Sequence, residues 1–92
     1  MNDITVSTTS QIVTLSSLTP GTRGIVCAIH GGRALLSRLA ALGFTIGAEV
    51  TVLQNYGHGP LITMVRGTRV ALGRGEASHI YISPEVRSND TA

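Results

Sequence analysis

We consider six side chains in this sequence as candidate ligands of a divalent metal ion. They comprise three histidines, one cysteine and two carboxylates: His30, His58, His79, Cys27, Glu49 and Glu76. None of them forms a pair at the spacing of a zinc motif, such as Cys-x-x-Cys or His-x-x-x-His. Cys27 and His30 are three residues apart on a predicted strand and therefore point to opposite faces. A metal site would have to be assembled by the fold, and its expected ligands are His58, His79 and Cys27.

Two of these candidates have alternative interpretations. Cys27 is equally suited to be a small core residue, since a free cysteine behaves as a small apolar side chain. His58 lies between glycines in a predicted loop, Tyr56 to Pro60, and is therefore expected to be exposed. Two such loops could hold a zinc ion between molecules rather than within one.

The sequence carries no pattern of a catalytic site. It has no Ser-His-Asp order and no Gly-x-Ser-x-Gly turn. Gly57-x-Gly59 lacks the third glycine and the helix of a dinucleotide-binding fingerprint. Arg74 and Glu76 are typical of a surface ion pair. We therefore predict that the protein is not an enzyme.

The charge and composition limit the other classes of function. The net charge is +2 and the seven basic residues are all arginines, which is mildly basic without a polybasic run. Only the two tyrosines are expected to be available for stacking on bases, so nucleic-acid binding is an alternative that we rank below partner binding. A single cysteine excludes an internal disulfide. No apolar run approaches the roughly 20 residues of a membrane span, so we expect a cytoplasmic protein that reaches a membrane only through a partner.

The clearest local element is an amphipathic helix over residues 33–42 that ends at Gly43. Its leucines share one helical stripe, of which most is expected to face the core and part to stay accessible: Leu35, Leu36, Leu39 and Leu42. Gly43 is suited to the left-handed conformation that ends many helices. Phe44 should then fold back on Leu39, as is usual at that cap.

Five short strands surround this helix in the predicted fold. Their ranges are Arg23 to His30, Glu49 to Gln54, Leu61 to Arg66, Arg69 to Leu72 and His79 to Ser83. Leu18-Thr19-Pro20-Gly21 and Phe44-Thr45-Ile46-Gly47 are similar entries into two of these strands, and the first fits a type II turn. Short strands between tight turns favour a small antiparallel β-barrel, with the helix inserted after the first strand. The domain is expected over residues 14–83, with a mobile tail at 1–13 and a polar tail at 84–92.

The order of small motifs in this chain resembles the FeoA family, the companions of the bacterial ferrous iron permease FeoB. The resemblance rests on mostly small and apolar residues that occur in one order. The first group is Leu15, Leu18, Pro20, Gly21, Gly24 and Val26, and the second is Arg38, Leu39, Leu42, Gly43, Phe44, Gly47 and Val50. Gly59, Pro60 and Leu61 follow, then the strand Arg69 to Leu72, and finally Ala77, Ile80 and Ile82. It covers residues 15–83. The resemblance implies an SH3-like barrel with a helical insertion and no catalytic activity. It also implies a supporting or regulatory role in ferrous iron uptake through contact with FeoB. No cofactor is required, and binding or sensing of Fe²⁺ or Zn²⁺ is the alternative function.

Partner binding is the function we favour. We expect the helix and the Tyr56–Pro60 loop to border a shallow apolar groove that receives a segment of the permease. The residues predicted to contact the partner are Arg38, Leu42, Gly43, Phe44, Tyr56 and His58. A homodimer through an exposed strand or through the helix is a further expectation.

Overall fold

A computed structural model describes residues 11–85, whose strands form one antiparallel sheet of six. The strands are β1 Val13–Thr14, β2 Arg23–Ile29, β3 Glu49–Gln54, β4 Leu61–Val65, β5 Thr68–Leu72 and β6 Ile80–Pro84. Their order across the sheet is β1-β6-β2-β3-β4-β5. A 3₁₀ turn at Leu15–Ser17 follows β1, α1 at Arg33–Ala41 follows β2, and α2 at Arg74–Ala77 follows β5. Of the two predicted tails, residues 1–10 and 86–92 lie outside the described residues.

The strands alternate between the core and the solvent because successive side chains point to opposite faces of a sheet. In β4, Leu61, Thr63 and Val65 are buried, whereas Ile62 and Met64 are only half-buried. Thr63 is the one buried polar side chain among the described residues, and its hydroxyl donates to the Val70 carbonyl at 2.9 Å. Apart from Phe44, the buried hydrophobic side chains of the core are aliphatic.

The sheet curls so that its two edges approach each other at one end. The 3₁₀ turn after β1 contacts α2, which follows β5 at the opposite edge of the sheet. A hydrogen bond of 3.1 Å from Arg74 Nη1 to the Ser16 carbonyl joins the two. This gives a sheet that is open along its length and barrel-like in shape. The prediction of a mainly β barrel with one short inserted helix is confirmed.

The structure has six strands where the sequence predicts about five. The additional strand is β1, in which Val13 and Thr14 pair with Ile82 and Tyr81 of β6. Two residues are too few to show a period-2 pattern, and the pairing depends on a strand almost 70 residues away. The strand we expected first is therefore β2, and α1 follows the second strand.

Two type II turns confirm the similarity of the two strand entries. Thr22 N donates to the Thr19 carbonyl at 3.1 Å, and Ala48 N donates to the Thr45 carbonyl at 3.0 Å. Gly21 and Gly47 occupy the third position of each turn with φ of +89° and +92°. Each of these glycines also donates to a valine of the other strand, Gly21 to Val52 at 2.7 Å and Gly47 to Val26 at 2.8 Å. The repeated sequence thus builds two matching turns that lock β2 and β3 together.

The reversal between β4 and β5 lies one residue earlier than predicted. The two turn residues are Arg66 and Gly67, with φ of +49° and +78°, and Val65 pairs with Thr68. Positive φ at both central residues is the type I′ geometry that matches the twist of a hairpin. Arg66 therefore leaves the predicted strand, and Thr68 joins the next one.

Candidate partner-binding surface

Helix α1 contacts the core through only part of its predicted leucine stripe. Leu39 is fully buried and Leu35 packs against the core, but Leu36 and Leu42 are each 38% exposed. Leu35 and Leu39 are four residues apart and define the line of contact. The other two leucines lie on either side of that line. The leucine stripe is therefore only partly covered by the core, and Leu36 and Leu42 stay accessible.

The end of α1 follows the predicted glycine cap. Gly43 has φ of +105°, its N–H donates to the Ala40 carbonyl at 3.0 Å, and the Phe44 N–H donates to the Leu39 carbonyl at 2.9 Å. This pair of bonds is the Schellman motif. Arg66 adds a third contact, because its Nε donates to the Gly43 carbonyl at 3.2 Å and its Nη2 to Thr45 Oγ1 at 2.6 Å. The β4–β5 hairpin therefore fixes the position of the helix end.

Two residues predicted to contact a partner do not lie on an open surface. Phe44 is fully buried in the core. Gly43 is half-buried beneath Arg66 and Val65. Their contribution is to the packing and the termination of α1, so we remove Phe44 from the predicted contact set as a correction.

Helix α2 connects α1 to the Tyr56–Pro60 loop. On one side, Arg38 of α1 forms an ion pair with Glu76 Oε2, while Glu76 Oε1 accepts the N–H of Gly73 at 3.2 Å. On the other side, Arg74 Nη2 donates to Asn55 Oδ1 at 2.5 Å and Nε donates to the Gly59 carbonyl at 3.1 Å. The predicted pairing of Arg74 with Glu76 is therefore replaced by two longer-range contacts. These contacts hold the helix and the loop on either side of one short element.

Asn55 fixes the start of the loop. Its Nδ2 donates to the carbonyls of Ser16 and Leu18 at 3.0 and 2.7 Å, and its Oδ1 accepts the Gly57 N–H at 3.0 Å. Every polar atom of this side chain thus has a partner, which holds the loop against the 3₁₀ turn. Tyr56 projects from this support with 71% of its surface exposed, and His58 is exposed as well. Neither Asn55 nor the role of Arg74 was predicted from the sequence, since neither residue belongs to a local motif.

We define the α1–loop surface as Leu36, Arg38, Leu42, Tyr56 and His58. Three of these are among the exposed large apolar residues of the described chain. Arg38 is exposed and adds a charged contact to α2. Depressions occur elsewhere, including one of about 420 Å³ beside Arg23 and Glu85 on the sheet. The groove between α1 and the loop stays a prediction.

The structure separates the predicted metal ligands. Among residues 11–85, no three histidine, cysteine, aspartate or glutamate side chains form a group that could hold a metal ion. Cys27 is half-buried and its Sγ donates to the Tyr81 carbonyl at 3.3 Å. His79 is exposed just before β6, where its carbonyl accepts the His30 N–H at 2.9 Å. His58 belongs to the loop described above, so His58, His79 and Cys27 do not make one site.

Comparison with known proteins identifies the family. The FeoA domain model matches residues 13–84. A protein of Methanocaldococcus jannaschii named Fe(2+) transport protein A is 36% identical over 62 residues, which are 67% of this chain and 74% of that protein. In the part of the chain that the structure describes, no helix is long and apolar enough to cross a bilayer.

Two solved structures are similar to this chain in both sequence and fold. A crystal structure of an iron uptake regulatory protein, FeoA, is 37% identical with a TM-score of 0.79, covering 82% of this chain and all of that one. FeoA of Stenotrophomonas maltophilia, crystallised with zinc and described as a prokaryotic SH3 domain protein, is 34% identical with a TM-score of 0.69. That match covers 83% of this chain and 99% of the relative. The SH3-like fold implied by the resemblance is thereby confirmed. Because the family model spans residues 13–84, this chain belongs to the FeoA family, whose members are associated with ferrous iron transport.

Proposed function

We propose that this protein is a non-enzymatic accessory factor of ferrous iron uptake, which acts in the cytoplasm by binding FeoB through the α1–loop surface. Membership of the FeoA family supports the link to iron transport. Activation of ferrous iron transport has been suggested for the S. maltophilia relative. The permease is the partner with which such a factor would have to communicate.

One observation carries the choice of surface: α1 is held in place by its C-terminal end and by Leu35 and Leu39, while Leu36 and Leu42 remain exposed. An apolar side chain that is not needed for the core is free to be buried by a partner. Tyr56 has the aromatic character that is enriched at the centre of protein interfaces. Its loop is fixed by Asn55 and Arg74, so little conformational freedom would be lost on binding.

The permease partner should present a complementary apolar segment with acidic residues around it. Helix α1 contains two arginines, Arg33 and Arg38, and no acidic residue. Arg66 lies at its end. An acidic rim on the partner would therefore increase the association rate and set the orientation.

The test is binding of this chain to the purified cytoplasmic G-protein region of FeoB, followed by NMR and calorimetry. The variant carries Leu36→Gln and Tyr56→Ala, both at exposed positions where the fold should be preserved. We expect its affinity to fall by about ten-fold or more, which corresponds to roughly 1.4 kcal/mol. Arg38→Glu is less suitable, because it would also place two carboxylates together at Glu76.

Ile12→Gln is the matched control, since Ile12 is 53% exposed but precedes β1 and lies outside the α1–loop surface. Equal binding by the double variant and the parent would show that the surface is wrong. Absence of binding by the parent chain, with and without guanine nucleotide, would overturn the proposed contact with this region of FeoB.

A further inference from the structure

Strand β5 forms one edge of the sheet and leaves backbone groups without partners among the described residues. It pairs with β4 on one side, and no strand among residues 11–85 pairs with it on the other. Val65 and Thr68 flank the two-residue turn and form the first hydrogen-bonded pair, so the backbone groups of Thr68, Val70 and Leu72 face β4. Arg69 and Ala71 then direct their N–H and C=O groups outward. Neither residue takes part in a loop or cap backbone hydrogen bond within the described range.

A depression on the outer face of the sheet adjoins this edge. It has a volume of about 440 Å³ and is lined by Leu53, Gln54, Ile62 and Arg69. The register of β3 against β4 shifts between Val52 and Gln54, a β-bulge that contains Leu53. Leu53 and Ile62 are half-buried, so the depression has apolar walls that remain accessible. Arg69 is the lining residue next to which a strand added at β5 would lie.

Arg69 gives this edge an uncompensated positive charge. Its side chain is exposed and forms no ion pair with any residue between positions 11 and 85. The residues that line the depression include no carboxylate. An unpaired strand edge, an apolar depression and a single guanidinium therefore occur side by side. Their common complement is an extended segment that carries a carboxylate and an aliphatic side chain on the same face.

We propose that the edge of β5 binds an extended peptide segment of a partner protein as a seventh strand. The outward backbone groups of Arg69 and Ala71 form the ladder to this segment. The Arg69 guanidinium pairs with its carboxylate, and an aliphatic side chain two residues along lies beside Ala71, the residue that pairs with Ile62 of β4. This site shares no residue with the α1–loop surface, and the inference does not depend on the contact with FeoB.

The probe is the synthetic peptide acetyl-Thr-Glu-Thr-Val-Thr-Val-Thr-amide, titrated into the ¹⁵N-labelled full chain. Its Glu and Val side chains alternate with Thr and so share one face of an extended strand. We expect concentration-dependent shifts of the Arg69 and Ala71 amides, with smaller shifts at Ile62. A peptide with Lys in place of Glu should bind about ten-fold more weakly.

Two variants distinguish strand addition from nonspecific peptide binding. Ala71→Pro removes an outward N–H and leaves the ladder to β4 intact, so it should abolish peptide binding without unfolding the chain. Ala71→Ser is its control and should bind as the parent does. Arg69→Glu should reverse the preference and bind the Lys peptide more tightly than the Glu peptide, a readout that holds even if Ala71→Pro fails to fold.

The proposal is overturned if millimolar peptide leaves the Arg69 and Ala71 amides unshifted, or if Arg69→Glu leaves the order of the two peptides unchanged. It is also overturned if sedimentation shows that the chain alone self-associates and Ala71→Pro prevents this, because the edge would then serve a second copy of the chain. A charged edge that only blocks aggregation would give the first of these results.

Discussion

Gly43 ends α1 in a backbone conformation that few other residues adopt without strain. Its φ of +105° allows the Schellman bonds at the end of α1, and those bonds direct Phe44 into the core. A Cβ at this position would lie 3.6 Å from the side chains of Arg66 and Val65, which is ordinary contact. The restriction on this position is therefore the backbone conformation and not the available space.

Replacing Gly43 with Ala should lower the free energy of unfolding by about 1–2 kcal/mol, because an L-residue is strained at this φ. The measurement is urea denaturation followed by circular dichroism. Gly75→Ala is the matched control, since Gly75 is inside α2 and an added Cβ there would meet no heavy atom within 4 Å. That change should be neutral or stabilise by up to about 1 kcal/mol. Equal effects of the two changes would contradict this role for the cap.

At the scale of elements, α2 is a single helical turn whose charged side chains contact four other segments. Arg74 reaches the 3₁₀ turn at Ser16, the loop at Gly59 and Asn55 at the end of β3. Glu76 reaches α1 through Arg38. Such charge-assisted bonds to partly buried acceptors are stronger than exposed ion pairs. The short helix thereby sets the separation between the two halves of the α1–loop surface.

Arg74→Ala should reduce the free energy of unfolding by about 1–3 kcal/mol, because partly buried acceptors lose a charged donor. Hydrogen exchange should show faster exchange at the amides of residues 55–59, with little change in the strands. The control is Arg33→Ala, because Arg33 is exposed and makes no side-chain hydrogen bond within the described residues. It should change stability by less than about 0.5 kcal/mol. Unchanged exchange in the loop of Arg74→Ala would show that Asn55 alone is sufficient.

At the scale of the whole molecule, the sheet has two edge strands, β1 and β5. One edge is formed by β1, which pairs with β6 and whose Val13 is half-buried and packs against the core. The edge at β5 has no covering strand among residues 11–85. We therefore propose that the structural domain begins with β1, slightly before the predicted start at residue 14, and ends at Glu85, whose N–H donates to the Arg23 carbonyl at 2.8 Å.

A chain trimmed to residues 11–85 should match the full chain in stability within about 1 kcal/mol, because it retains all six strands. A chain trimmed to 15–85 should be less stable by roughly 1–3 kcal/mol, since it loses the Val13 contact and exposes the edge of β6. Thermal and urea denaturation of the three chains provide the measurement. Equal stability of the two trimmed chains would show that β1 is dispensable.

The sequence alone was sufficient for features controlled by neighbours along the chain. The end of α1 at Gly43, the turn at Gly21 and its counterpart at Gly47 all follow from the freedom of glycine at positive φ. The positions of β3 to β6 were also predicted to within one residue at each end. The ordered series of small motifs identified the FeoA family, and this series depends on the same local constraints.

Features that depend on distant pairings required the folded structure. The two-residue strand β1 forms only because β6 is available to pair with it. Arg74 donates a hydrogen bond to the Ser16 carbonyl, which is 58 residues away in the sequence. A helical stripe shows which leucines share a side, but the depth of contact with the sheet left Leu36 and Leu42 exposed. The same holds for the unpaired edge at Arg69 and Ala71, since strand order is a property of the whole sheet. Local propensities act over a few residues, whereas exposure and edge position are set by long-range packing, which no single stretch of sequence encodes.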